Sequence, residues 1–317
     1  MNAPGTNSQA ADLAQLSATS PAWFRQAFEV PRTTHDVESG GARIRYYKWG
    51  DPSLPGVVMT HGFMAHARCW AFIAPLLAGR FCIAAFDLSG MGDSGWRDDY
   101  SVAARADEAL AVARDAGFLD GHQKPALVCH SYGGSVGIEA ADRYPDAFRQ
   151  LIVCDMSLLA PGEAPRFEEQ RKKRFEGGSR PHRIYPDFAA AQARFRLAPD
   201  QPCENDYLME YMARHSIKTA PGGLTWKFDP AILSADDDRG PDWWASLAPR
   251  LAALSMPRAV VYGELSEMMS PEARDYIRAE TDGSVPVVGI PDAYHHVMMD
   301  QPLALVSALD AILQSAK

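Results

Sequence analysis

No stretch of this chain approaches the ~20 consecutive apolar residues that a membrane-spanning helix needs, so no transmembrane segment is expected. The segment Met1 to Ser20 is rich in Ala, Ser, Asn and Gln. It has neither a positive n-region nor an apolar h-region, so it does not read as a signal peptide. Residues 1–25 read instead as a mobile arm. The chain has no Cys-x-x-Cys and no His/Cys cluster, so no metal and no cofactor are expected. Cysteine is scarce: Cys69, Cys82, Cys129, Cys154 and Cys203 are odd in number, scattered and mostly set in apolar runs. That pattern argues against a disulfide framework and fits reduced core thiols in a cytoplasmic protein. Positive charge is in the minority, with 31 Lys and Arg against 40 Asp and Glu and a net charge of −9. Nucleic acid and anionic membrane surfaces are therefore poor partners. Internal repeats and low-complexity tracts are absent too.

What is present is a 317-residue chain that is 47% apolar, enough for one sizeable core. Arg43–Trp49 alternates and reads as one strand of an early hairpin; Gly56–Thr60 is a short buried strand. Ala65–Ala78 carries a helical pattern, and Arg80–Phe86 is the next apolar run. Ser101–Gly117 reads as a helix with Ser101 as N-cap and Gly117 as its stop. A strand (Pro125–Cys129), a helix (Tyr132–Tyr144) and a strand (Leu151–Asp155) follow. This alternation predicts βαβ units and a mostly parallel sheet. The rhythm breaks over residues 156–254, which are rich in proline, aromatics and charge clusters (Arg166–Arg174, Asp236–Arg239) and read as a mostly helical insertion. It resumes with strand Arg258–Tyr262, helix Pro271–Thr281, strand Val285–Ile290 and helix Leu303–Leu313. The expected organisation is a core of residues 26–155 and 255–317 that carries a lid over 156–254.

At the start of the Tyr132–Tyr144 helix lies Cys129-His130-Ser131-Tyr132-Gly133. A serine at a strand-to-helix turn between small residues has the layout of a nucleophile elbow. The turn is too tight for large side chains two residues either side, and it lifts the hydroxyl out of the sheet. Cys129 stands where such turns usually place glycine. A hydroxyl is a weak nucleophile at neutral pH, so Ser131 needs a base within hydrogen-bond reach.

Four further motifs carry a resemblance to the α/β-hydrolase superfamily over residues 30–314: His61-Gly62-Phe63 after the third strand, Asp87 to Ser94 in a D-x-x-G-x-G-x-S loop, Gly263-Glu264 ending a late strand, and Ile290 to His295. The resemblance implies an eight-stranded, mostly parallel sheet flanked by helices with an inserted helical lid. A finer likeness is carried by Tyr207–Ser216 with Gly222 to Pro230, which resembles the cap of bacterial serine-hydrolase-like proteins with a W-K-F-D-P signature. The resemblance assigns Ser131 as nucleophile and His295 as base, in the chain order serine, acid, histidine. It leaves His61 bracing the oxyanion loop and His130 in the variable slot of the elbow. The acid stays open between Asp155, 24 residues after Ser131, and Glu267, beside the Ser266 that fills the commoner acid position. Backbone N–H groups of Phe63 and Tyr132 would form the oxyanion hole.

Among the lid aromatics, Trp226, Tyr207 and Tyr211 are candidates for an apolar substrate pocket, with core packing as the alternative. The stretch Arg166–Arg183 reads as a solvated helix because Glu168, Glu169 and Glu176 interleave with its cations. The expected function is hydrolysis of an ester, lactone or related acyl bond of a small apolar molecule through an acyl-enzyme. C–C bond hydrolysis of vinylogous diketones by the same triad is the alternative, and a non-catalytic ligand-binding role is another. Serine at the elbow argues against epoxide or haloalkane chemistry, which would use a nucleophilic aspartate. A small-molecule substrate and a monomer or homodimer are expected.

Overall fold

In the computed structural model, residues 20–121, 123–174, 180–234 and 241–315 are described. The chain runs α1 (Ala22–Ala27), β1 (Arg32–Ser39), β2 (Ala42–Trp49), β3 (Gly56–Thr60), α2 (Ala74–Leu77), β4 (Cys82–Phe86), α3 (Val102–Asp115), β5 (Ala126–His130), α4 (Tyr132–Arg143) and β6 (Gln150–Cys154). Then come α5 (Ala164–Arg174), α6 (Phe188–Gln192), α7 (Asp206–His215), β7 (Ile217–Ala220), β8 (Gly223–Trp226) and α8 (Pro241–Ala253). The chain closes with β9 (Arg258–Gly263), α9 (Pro271–Glu280), β10 (Val287–Ile290), α10 (Val297–Asp300) and α11 (Pro302–Ser315).

Eight strands form one sheet in the order β1-β2-β4-β3-β5-β6-β9-β10. β1 pairs antiparallel with β2, and β2 with β4. Every other pairing is parallel. The fold is the α/β-hydrolase architecture that the motifs imply. The central strands β3, β4, β5 and β6 are buried along their whole length, as a sheet covered on both faces requires. Alternation along each strand divides the core in two. Val58, Leu127 and Val153 face α3, α4 and α8, whereas Val57, Met59, Val128 and Ile152 face Trp70, Phe72, Leu305 and Leu309.

Local signals explain the flanking elements. The Ser101 hydroxyl accepts a hydrogen bond from the N–H of Ala104 and caps α3, and Gly117 follows with φ +79°. The helical pattern over Ala65–Ala78 splits into a 3-10 turn (Ala67–Trp70) and the single turn of α2, because Pro75 can only sit in a first turn. The segment given to the arm is only partly so. Residues 1–19 lie outside the described residues, but α1 buries Phe24 against Phe28, Phe72, Tyr207 and Tyr211.

The insertion between β6 and β9 departs from expectation in three places. It contains the antiparallel hairpin β7–β8, closed by Pro221-Gly222 with Gly222 at φ +86°. Its last helix, α8, buries Leu247, Ala248 and Leu251 in the core beside α4, and Arg250 there binds Glu139 and Asp142. And α5 is not simply solvated: the buried Glu168 accepts bonds from Arg171 (2.8 and 3.0 Å) and from the indole N–H of Trp244 (3.0 Å). Glu176 and the Asp236–Arg239 cluster lie outside the described residues.

Candidate active site

Ser131 stands at the junction of β5 and α4 with φ 53° and ψ −124°. A non-glycine residue there costs on the order of 1–3 kcal/mol and persists only where surrounding structure fixes it. Here the Ser131 N–H donates to Cys154 O at 2.9 Å, and its carbonyl accepts from Gly134 at 2.7 Å. Small neighbours make the turn possible. A Cβ on Gly133 would lie 2.6 Å from the His61 carbonyl oxygen, which only glycine avoids. Cys129 fits where glycine is usual because Gly137 faces it: a Cβ on Gly137 would come within 2.6 Å of the Cys129 sulfur.

Asp155 follows β6 directly, again with positive φ (46°). Its carboxylate is 0% exposed and three donors satisfy it. Nδ1 of His295 donates to Oδ1 at 2.9 Å, the Ser266 hydroxyl donates to the same oxygen at 2.6 Å, and the Gly263 N–H donates to Oδ2 at 2.7 Å. His295 lies in the loop after β10 and is only 4% exposed. Its carbonyl accepts from Nε2 of His130 at 2.9 Å, so the elbow itself holds the histidine loop. With Nδ1 of His295 engaged, Nε2 is the nitrogen left for chemistry. Burial, with the charge of His295 behind it, lowers His130 to about 3 and keeps it neutral. His61 is lowered to about 4, mainly by burial; its Nδ1 donates to Gly62 O and its Nε2 accepts from the Leu88 N–H at 3.0 Å. It thereby ties the loop after β3 to the loop after β4.

Ser131, Tyr132, Phe63 and His295 line one cavity of about 260 Å³, together with Met64, Met156, Leu159, Phe167, Trp244 and Glu267. The carboxyl ends of β3, β5, β6, β9 and β10 therefore converge there, where open α/β sheets bind ligands. The ring of Phe63 packs edge-on against that of Tyr132 at 5.5 Å. The phenol oxygen of Tyr132 accepts from the buried Arg105 at 2.6 Å.

The structure brings Ser131, His295 and Asp155 to this edge and puts Glu267 in the cavity wall, while Asp155 holds His295. The pocket expectation is corrected for two of its three residues. Tyr207 and Tyr211 line neither cavity of the site; they pack on Phe24, Phe28 and Phe72, because α1 brings its aromatics onto that face of α7. Trp226 ends β8 and lines a second cavity that adjoins the one holding Ser131. Ser266, which fills the commoner acid position, was given no role in the sequence analysis, yet its hydroxyl binds the acid. Its position three residues after Gly263 was the available signal, since a hydroxyl there reaches the carboxylate at the end of the adjacent strand β6. Among the described residues no group of three or more His, Cys, Asp or Glu could hold a metal ion, and no helix is long and apolar enough to cross a membrane.

Comparison with known proteins places this geometry in context. The model of the alpha/beta hydrolase family matches residues 57–309. A fluoroacetate dehalogenase of a Burkholderia species is 36% identical over 110 residues, which span only 33% of this chain and 35% of that one. An esterase of Mycobacterium tuberculosis is 26% identical over 284 residues, 88% of each chain. Among solved structures, an E-2-(acetamidomethylene)succinate hydrolase superposes with a TM-score of 0.74 at 23% identity, over 90% of this chain and 100% of that one. That likeness speaks for the fold.

Proposed function

The chain belongs to the alpha/beta hydrolase family, and from that premise we propose that it is a serine hydrolase acting on an ester or related acyl bond of a small apolar substrate. The observation that carries the reading is the pairing of His295 with a buried, three-donor Asp155, with His295 and a serine on a strained turn lining one cavity. Ser131 Oγ attacks the carbonyl carbon while Nε2 of His295 takes its proton. Asp155 holds Nδ1–H, fixing the tautomer and stabilising the imidazolium. The N–H groups of Phe63 and Tyr132 take the oxyanion; losing one such donor costs roughly 3 kcal/mol of transition-state stabilisation. As the tetrahedral intermediate collapses, His295 protonates the departing alkoxide and the acyl group stays on Ser131. Water then enters, His295 removes its proton, and the acid leaves with Ser131 restored.

The likeness to a full-length esterase supports ester chemistry. The dehalogenase likeness covers a third of the chain, and serine at the elbow, unlike aspartate, does not suit halide displacement. The test is turnover of p-nitrophenyl esters of increasing acyl length by Ser131→Ala. The fold should persist, since alanine fits the turn, and kcat should fall roughly a million-fold. A loss of only a few-fold on folded protein would overturn the assignment.

A further inference from the structure

A second cavity of about 370 Å³ adjoins the one that holds Ser131; both are walled by Phe63, Met64 and Ala198. That volume lies in the range that takes a small organic ligand. The reaction described above does not use its far side, where Tyr185, Phe195, Trp226, Phe228, Met298 and Met299 make an apolar and largely aromatic wall. The ring of Trp226 stands edge-on to that of Tyr185, with 5.5 Å between centroids, and Phe195 lies 6.4 Å away.

The formal charge in this cavity has one sign. Its lining includes Arg194, Arg196 and Lys227 and, among the described residues, no Asp or Glu. The chain as a whole has the opposite balance, 40 acidic residues against 31 basic ones. Lys227 is paired with Asp93 at 2.7 Å. The two arginines have no carboxylate partner among the described residues. The Arg194 guanidinium meets no acceptor there, and that of Arg196 reaches only the carbonyls of Ala193 and Phe195, at 3.2 and 2.6 Å. Both residues are exposed as well as lining the cavity, so they stand at its mouth.

An apolar interior behind two uncompensated guanidinium groups matches an amphipathic anion. The guanidinium fork meets both oxygens of a carboxylate, and the apolar remainder gains by leaving water. The cavity with Ser131 offers the opposite. Glu163 and Glu267 are in its wall, and its arginine, Arg171, is held by Glu168 at 2.8 and 3.0 Å.

We propose that the second cavity is a binding site for an apolar monocarboxylate, with the ring or chain against Trp226 and the carboxylate at Arg194 and Arg196. Neither Ser131 nor His295 lines it, so the proposal stands apart from the hydrolytic reading.

Calorimetric titration of the wild-type protein compares 4-phenylbutyrate with 4-phenylbutanol, which shares its body and lacks its charge. The acid should bind one to one and about tenfold tighter than the alcohol, the worth of one charge-assisted hydrogen bond at a solvent-facing site. Arg194→Gln/Arg196→Gln keeps polar side chains at two exposed positions, so the fold persists, and it should bring the ratio to about one. Equal affinities in the wild type, no binding of the acid, or a tenfold preference that survives in the double variant overturns the proposal.

Tryptophan fluorescence then locates the ligand. Trp226 lines this cavity and Trp244 lines the one with Ser131. The change that 4-phenylbutyrate produces should be lost in Trp226→Phe and kept in Trp244→Phe. A change that is absent, that survives in Trp226→Phe or that is lost in Trp244→Phe puts the acid elsewhere and overturns the proposal. Neither readout uses turnover. A protein that hydrolyses no ester and binds the acid in this way loses the hydrolytic reading and keeps the site. One that hydrolyses esters and does not bind the acid keeps the reading and loses the site.

Discussion

Asp155 shows how three parts of the fold meet at one side chain. His295 comes from the loop after β10, Gly263 from the end of β9 and Ser266 from the turn beyond it. Asp155→Asn keeps the shape but replaces an acceptor with a donor facing Nδ1–H. The imidazole then takes the wrong tautomer, and kcat on a p-nitrophenyl ester should drop on the order of 10⁴-fold. Glu267→Gln, in the cavity wall, should stay within about tenfold of wild type. The reverse ranking on folded protein would move the acid to Glu267. Both carboxylates were legible as candidates, because spacing in the chain limits which strand end a residue reaches. What separates them is the Ser266 hydroxyl and the Gly263 N–H, which come from a strand adjacent in space and distant in sequence. Tyr207 and Tyr211 were not legible for a different reason. An aromatic on a half-buried helix face meets apolar surroundings in a pocket and in a core alike, and the partner that decides, α1, lies some 180 residues earlier.

The elements that position the site divide into those with strong local signals and those held by long-range contacts. Strands buried on both faces announce themselves as apolar runs, and β3 spans the expected residues, Gly56–Thr60. The hairpin β7–β8 does not: its strands are four residues long and mostly half-buried, too short and mixed for a period of two to register. The Trp226-Lys227-Phe228-Asp229-Pro230 segment that follows explains why its sequence is distinctive. Lys227 pairs with Asp93 at 2.7 Å, Asp229 accepts from the Tyr100 hydroxyl at 2.6 Å, and the Asp229 N–H donates to Gly90 O at 2.7 Å. The segment therefore pins the insertion to the loop after β4. Burial alone would raise Asp93, yet the Lys227 ammonium holds it down to about 2. Asp229→Ala removes the partner of Tyr100 and the side-chain cap of the turn Pro230–Leu233. It should cost about 1–3 kcal/mol and speed proteolytic cleavage within residues 180–234. A melt and a cleavage pattern identical to wild type would contradict the pinning role.

Over the whole molecule, the paired chemistry sits in a core that buries neutral imidazoles. His61, His66 and His130 are lowered to about 4, 3 and 3, in each case chiefly by burial. In the unfolded chain a histidine titrates near 6.5. Between these values the unfolded state binds more protons than the native state, so stability falls as pH falls. The stability these groups contribute is present above about pH 6.5. Below it, each costs about 1.4 kcal/mol per pH unit until its native value is reached. Urea denaturation should therefore give a markedly lower unfolding free energy at pH 5.5 than at pH 7.5. Equal values at the two pH settings would mean that the imidazoles are solvated. The parallel order of the sheet was legible from the alternation of strands and helices. The placement of α8 on the core was not, because its tryptophans and leucines suit a lid and a flanking helix equally well.

The central claim is that Ser131 is a nucleophile activated by His295. Intact-mass analysis after treatment with a small alkyl fluorophosphonate tests it most directly. One phosphonyl group should add to the wild-type protein, peptide mapping should place it on Ser131, and folded Ser131→Ala and His295→Ala should remain unlabelled on the same timescale. Wild-type protein that stays unlabelled, or a label that persists in Ser131→Ala, would contradict the account.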